Sequence, residues 1–148
     1  MDEKAVLLVE DNEKDELLTI RALKTIDVAN RIDVARDGQE AIDYLLGGAS
    51  GGAGAETALP AVVILDLRLP KLDGHEVLQC IRADARTELL PVVILTSSDE
   101  EQDITESYRH GANSFVSKPV NIDEFTKAVK DLGLYWLITN KAVDNKDE

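Results

Sequence analysis

The sequence contains a single cysteine, Cys80. This excludes an intrachain disulfide and suits a reducing cytosol. No apolar run approaches the roughly 18–20 residues that a helix needs to cross a bilayer. The N-terminus lacks a basic segment followed by an apolar stretch, so no export signal is read. Positive charge is also scarce: 16 Lys and Arg stand against 29 Asp and Glu, a formal net charge of −13. Such a surface repels nucleic acid and anionic lipid. The expectation is a cytoplasmic protein that binds neither nucleic acid nor membrane.

What remains is ordinary for a soluble globular protein. Apolar residues make up 44% of the 148 positions and charged residues 30%. That length fits one domain, and a domain near this size buries about 70% of its unfolded surface. The acidic excess has two readings that composition leaves open. It keeps the chain soluble, or some of the carboxylates form a cation site.

Short apolar runs alternate with longer amphipathic ones. Ala5–Val9 ends in Glu10 and Asp11, Ala61–Leu65 ends in Asp66, Val92–Leu95 ends in Thr96, and the weaker run Ser114–Ser117 ends in Lys118. Ile32–Ala35, interrupted by Asp33, is a fifth candidate strand and suits a sheet edge. Continuous apolar runs are expected of parallel strands covered on both faces. Helices are expected between them. The first is capped by Asn12 and runs to about Ile26, with Leu17, Leu18, Ala22 and Leu23 facing inward. The next two cover Gly38–Leu46 and Gly74–Ala83. A fourth, capped by Asp99, ends near His110 before Gly111. A fifth follows Asn121, with Glu124 placed as in a capping box. A strand followed by a helix five times over predicts an α/β doubly wound parallel sheet with helices on both faces.

The glycine-rich stretch 47–55 interrupts this rhythm. It lacks the Gly-Lys-Ser/Thr of a phosphate-binding loop and leads into the amino end of a strand, the wrong end for a ligand. It reads as a flexible insertion. There is no internal repeat.

In doubly wound sheets, ligands sit outside the carboxyl ends of the strands. Those ends carry Glu10, Asp11, Asp66, Thr96 and Lys118. Any one of them alone is a turn residue, a cap or a solvated charge. Together, if the first strand is central, they converge on one edge. Three clustered carboxylates need a counter-charge, and a hard divalent cation such as Mg²⁺ supplies one. The set suits phosphoryl transfer to a carboxylate. Asp66 would be the nucleophile. Asp11 would bind the metal directly, and Glu10 directly or through water. Lys118 and the Thr96 hydroxyl would hold phosphoryl oxygens.

Val9-Glu10-Asp11-Asn12, Leu65-Asp66-Leu67-Arg68-Leu69-Pro70, Asp73-Gly74, Leu95-Thr96-Ser97 and Lys118-Pro119 together resemble the receiver domains of two-component response regulators. The match runs from about Ala5 to Leu137. The wider text, including Ser107-Tyr108, Gly111-Ala112-Asn113, Lys118-Pro119-Val120 and Tyr135-Trp136-Leu137, resembles the stand-alone regulators that pair with bacterial, especially cyanobacterial, phytochromes. The expected fold is then flavodoxin-like, with strand order 2-1-3-4-5. The expected domain is a single receiver over 1–148, with its core at about 5–137 and a polar tail at 142–148.

The resemblance implies phosphorylation of Asp66 by a sensor histidine kinase, including one of the phytochrome type. It implies Mg²⁺ on Asp11, Asp66 and the main-chain carbonyl of Arg68, with Glu10 assisting. It makes Thr96 the switch hydroxyl, Lys118 the phosphate-binding cation and Phe115 the switch aromatic, and it implies a cis Lys118–Pro119 bond. The chain then catalyses only its own phosphorylation and dephosphorylation. Two departures stand out. Glu10 occupies a place where many receivers have aspartate, and Arg68 lies two residues past the acceptor. The Arg68 side chain either covers the phosphate or points to solvent.

Cys80 reads as a packing residue, and His75 and His110 as surface residues without metal-ligand spacing. Tyr135 and Trp136 pack on the domain or form a partner surface, with a dimer contact favoured. Seven residues follow Lys141. Output is therefore expected through a partner, a phosphate relay, or a homodimer made by the fourth helix, fifth strand and fifth helix. Two rivals compete with this reading. One is a haloacid-dehalogenase-type phosphatase, which needs a second Asp where Arg68 stands. The other is an interaction module with an inactive site.

Overall fold

The computed structural model describes residues 5–27, 29, 31–47 and 59–141. Five strands form one parallel sheet: β1 (Ala5–Val9), β2 (Arg31–Ala35), β3 (Val62–Leu65), β4 (Val92–Thr96) and β5 (Ser114–Ser117). Their order is β2-β1-β3-β4-β5, as expected. The helices are α1 (Glu13–Ile26), α2 (Gly38–Leu46), α3 (Gly74–Ala83), α4 (Glu101–Arg109) and α5 (Ile122–Leu134), and α5 continues into a wider π-type turn at Tyr135–Thr139. The insertion from residue 48 onward and the tail at 142–148 lie outside the described residues.

β1 and β3 are apolar on every residue, and β4 on all but its last, because both their faces are covered. Leu7, Val9, Val63, Leu65 and Ile94 pack with Ala41, Leu45, Val77, Leu78 and Ile81 from α2 and α3. Val6, Leu8, Ile64, Val93 and Leu95 pack with Ala22, Leu23, Phe125, Val129 and Leu132 from α1 and α5. The edge strand β2 is only half-buried up to Ala35, in keeping with its interrupted apolar pattern.

N-terminal caps start the helices where side-chain chemistry dictates. Asn12, Asp37, Asp73 and Asn121 each accept a backbone N–H from the first turn of the helix that follows. A complete capping box forms at Asp73 and Glu76. Three expectations need correction. The residue before α4 is Glu100, not Asp99, and its side chain makes no capping bond. Instead, the Ser98 hydroxyl accepts the Glu100 N–H at 3.3 Å. Leu17 is 50% exposed. It lies two residues before buried Thr19, about 200° around the helix, and so faces away from the core. No peptide bond among the described residues is cis, so the Lys118–Pro119 bond is trans.

Two close contacts fix the loop between β3 and α3. The Gly74 N–H donates to the Leu67 carbonyl at 2.9 Å. A Cβ on Gly74 would stand 2.5 Å from both the Asp66 carbonyl oxygen and Leu67 Cα. Gly74→Ala is therefore expected to destabilise the protein by about 1–3 kcal/mol, the usual range for overpacking. Urea unfolding checks this, and an unchanged midpoint would show that the loop yields freely.

Candidate functional site

The sheet ladder itself carries the site residues. The Glu10 N–H donates to the Ala35 carbonyl at 2.9 Å, the Asp66 N–H to Val9 at 3.0 Å, and the Lys118 N–H to Thr96 at 2.7 Å. Each bond prolongs a strand pairing by one residue beyond its carboxyl end. Glu10, Asp66 and Lys118 are thus placed by backbone geometry, before any side-chain interaction is counted.

Their side chains meet. Lys118 Nζ lies 2.8 Å from each of Glu10 Oε1, Asp15 Oδ2 and Asp66 Oδ2. The Thr96 hydroxyl donates to Asp66 Oδ1 at 2.7 Å, and the Arg68 N–H donates to the same oxygen at 3.1 Å. Asp66 is 6% exposed, Glu10 1% and Thr96 0%. Asp11 follows Glu10 at the exposed mouth of the site. Of the residues expected from sequence, Glu10, Asp66, Thr96 and Lys118 are in direct contact. Phe115 is half-buried, against the core on the α2–α3 side. The Arg68 side chain is at the surface.

Asp15 was not expected. It is the third residue of α1, where an acidic residue ordinarily reads as a partner of the helix dipole. The only sequence signal was its place one turn beyond Glu10. Ser98 and Asp103 were also missed. The Ser98 hydroxyl donates to Asp103 Oδ2 at 2.6 Å, which fastens the loop after Thr96 to α4.

Electrostatics divide the acidic groups. Burial pushes the Glu10 carboxyl up to about 7, against the pull of Lys118. Burial also acts to raise Asp66, but Lys118, the Thr96 hydroxyl and the Arg68 N–H outweigh it and hold this carboxyl below the usual range. Burial alone would lower the Lys118 pKa, yet hydrogen bonds to Asp15, Asp66 and Glu10 raise it, so the ammonium is fixed. One cation facing three carboxylates leaves a surplus of negative charge. The donors around that surplus are all oxygens, which fits a hard divalent cation.

Residues 6–130 match the family model of the response regulator receiver domain. The chain belongs to the response-regulator receiver family. Its relatives include the probable methanogenesis regulatory protein FilR2 of Methanothrix harundinacea, which is 40% identical over 93% of this chain and 86% of its own length. Response regulator Rcp1 of Synechocystis is 35% identical over 92% of this chain and 90% of its own. The Mn²⁺-bound crystal form of Rcp1 superposes with a TM-score of 0.87 at 34% identity, covering 95% and 99% of the two chains. The phosphorylated cyanobacterial phytochrome response regulator RcpA gives a TM-score of 0.89 at 36% identity, covering 97% and 100%. Receivers accept phosphate from histidine kinases and bind a divalent metal. Among the described residues of this receiver, no helix is long and apolar enough to cross a membrane.

The cage around Lys118 sets two expected outcomes. Lys118→Met leaves buried carboxylates without their cation, so the metal-free protein should lose about 3–5 kcal/mol. Denaturant unfolding measures this, and a loss below about 1 kcal/mol would show that water already compensates the cage. The second concerns pH. The folded pKa of Glu10, about 7, lies above its ordinary value of 4.5, so protons favour the folded state between these limits. Stability from this group is complete below 4.5 and is lost as pH rises through about 7. Asp66 acts oppositely, but only below 3.8. Glu10→Gln should flatten the slope between those pH values in metal-free buffer.

Proposed function

We propose that Asp66 is the phosphoacceptor of this receiver, charged in a Mg²⁺-dependent step by a sensor histidine kinase of the phytochrome class. One observation carries the assignment. Asp66 is a buried carboxylate held ionised, with one oxygen on the Thr96 hydroxyl and Arg68 N–H and the other on the Lys118 ammonium. Similarity to RcpA supports the phytochrome pairing, and the acidic, single-cysteine composition supports a cytoplasmic setting.

In this mechanism an Asp66 carboxylate oxygen attacks the phosphorus of a phosphohistidine. The P–N bond breaks and the imidazole departs with its electron pair. Lys118 and the Thr96 hydroxyl then bond phosphoryl oxygens in place of the free carboxylate. Asp11, Asp66 and the Arg68 carbonyl would hold Mg²⁺, with Glu10 assisting, and the bound ion would neutralise charge on the transferring group. The chain's own catalysis ends with hydrolysis of the acyl phosphate.

The added charge draws Thr96 toward the phosphoryl group, and Phe115 turns inward behind it. The Thr96 bond is the preference that shifts the equilibrium between two states. The face formed by α4, β5 and α5 reshapes. It exposes Tyr108 at 50%, Ile122 at 51% and Val120 fully, which suits a homodimer contact in the phosphorylated state. Trp136 packs against the core on the α1–α5 side, whereas Tyr135 is 48% exposed. Tyr135, whose ring meets Trp136 edge-on, is the one exposed for a partner contact.

Incubation with acetyl phosphate and Mg²⁺, read by intact mass, should add one phosphoryl group, and none in Asp66→Ala or after chelation. Thr96→Ala should slow labelling by about 10²–10³-fold, the usual loss for one transition-state donor. Beryllofluoride should move the protein toward dimer on size-exclusion chromatography. Labelling that survives in Asp66→Ala would overturn the assignment. Steady turnover of a phosphomonoester would favour a phosphatase instead.

A further inference from the structure

A second cluster of donors lies between α3 and α4 and shares no residue with the acidic centre. His75 is the second residue of α3, Glu106 lies in the last turns of α4, and His110 directly follows α4. One ring nitrogen of each histidine and one carboxylate oxygen of Glu106 all lie within 4.8 Å of one another. Glu106 and His110 are four residues apart, the spacing that aligns two side chains on one helical face. The third donor comes from the facing helix. The two rings stand edge to face, with centroids 5.8 Å apart.

The surroundings are ordered as a ligand set requires. His75 Nε2 lies 3.2 Å from Asp103 Oδ1, and Asp103 is oriented in turn by the Ser98 hydroxyl. The same nitrogen lies 3.9 Å from Glu106 Oε1, so Asp103 orients the ring edge that faces Glu106. His75 Nδ1 is buried and has no hydrogen-bond partner among the described residues. A buried nitrogen without a partner is an unmet demand in a histidine whose side chain is only 17% exposed. The Gln79 amide lies 3.1 Å from His110 Nε2. No lysine or arginine forms an ion pair with Glu106 among the described residues.

The geometry points to a transition-metal site of the zinc type formed by His75, Glu106 and His110. Two imidazoles and one carboxylate favour Zn²⁺ over Mg²⁺, which prefers oxygen donors and retained water. Tetrahedral ligands at about 2.0–2.1 Å from zinc stand roughly 3.4 Å apart, so modest side-chain rotations close the present set. The fourth position is left for water. A bound ion would clamp α3 to α4, whose first turn is tied through Asp103 and Ser98 to the loop after Thr96.

The test uses the full chain without a histidine tag, titrated with Co²⁺ in saturating Mg²⁺ and followed by its visible absorption band. One equivalent should bind. The same equivalent should bind in Asp11→Asn/Asp66→Asn, which removes the acidic centre. His75→Ala and His110→Gln should each weaken Co²⁺ binding at least tenfold, and Glu106→Gln should shift the band. Added Zn²⁺ should raise Tm in the unaltered chain but not in the double histidine variant. Normal labelling of Asp66 by acetyl phosphate in the histidine variants confirms that they fold. An unchanged Co²⁺ isotherm in the double variant would overturn the site, as would no band at millimolar Co²⁺ in the unaltered chain.

Discussion

The Lys118 ammonium holds the carboxyl edge of this sheet together. It sits 2.8 Å from carboxylates that belong to β1, α1 and β3, while its own backbone prolongs β5. Four elements distant in sequence are thereby joined at one nitrogen. Without that charge, Glu10, Asp15 and Asp66 would repel one another in a region with little water. The arrangement is costly, because burying ions forfeits hydration, and an apolar set of similar volume would often be at least as stable. The site is therefore explained better by what it can bind than by what it adds to stability.

The fold determines which parts of that site are rigid and which are free to move. β1 and β3 are central, fully buried and paired on both sides. Glu10 and Asp66 extend from them, so their backbones have little freedom. The β4–α4 side differs. Beyond Thr96 the chain is held by Ser98 and Asp103 rather than by the sheet, and β5 is a short edge strand that is at most half-buried. A change of charge within the cage would meet a fixed floor on the β1–β3 side and a less constrained wall on the β5 side. Interconversion between packed arrangements is expected where local stability is lowest, and on this side of the sheet the least constrained strand is β5, which is paired on one side only.

The sequence showed most of this because the relevant signals are local. Apolar runs that stop abruptly at Asp66, Thr96 and Lys118 marked strand ends, and the ladder then carried these residues into register. Asn12 and Asn121 announced helix starts through capping chemistry. The misses come from interactions with long sequence separation or from competing caps. Asp15 is 103 positions from Lys118, and nothing near it in sequence distinguishes a cation partner from a first-turn acid. His75 lies 35 positions before His110 and reads as an isolated surface residue until α3 and α4 are packed together. Asp99 looked like a cap, but a serine one residue earlier takes the free N–H. Leu17 was grouped with Leu18, Ala22 and Leu23 on the inner face, but it turns to solvent.

Of the three acidic residues that contact Lys118, Glu10 and Asp66 are pushed apart by their environments. Glu10 receives the Lys118 ammonium and a 3.2 Å bond from the Asn12 N–H, and burial dominates. Asp66 is nearly as buried and receives a similar N–H at 3.1 Å, but it also receives the Thr96 hydroxyl beside the ammonium, and these donors dominate instead. The donors, not the burial, decide which group stays charged. A nucleophilic carboxylate has to be ionised at the moment of attack and still lie beside the groups that will receive the phosphoryl oxygens. Asp66 meets both conditions with the same three donors. Glu10, titrating near neutrality, is left able to gain or lose a proton as the charge beside it changes. Pairs of titratable groups separated in this way are how one site assigns different roles to chemically similar side chains. Here the separation follows directly from which strand end each residue occupies.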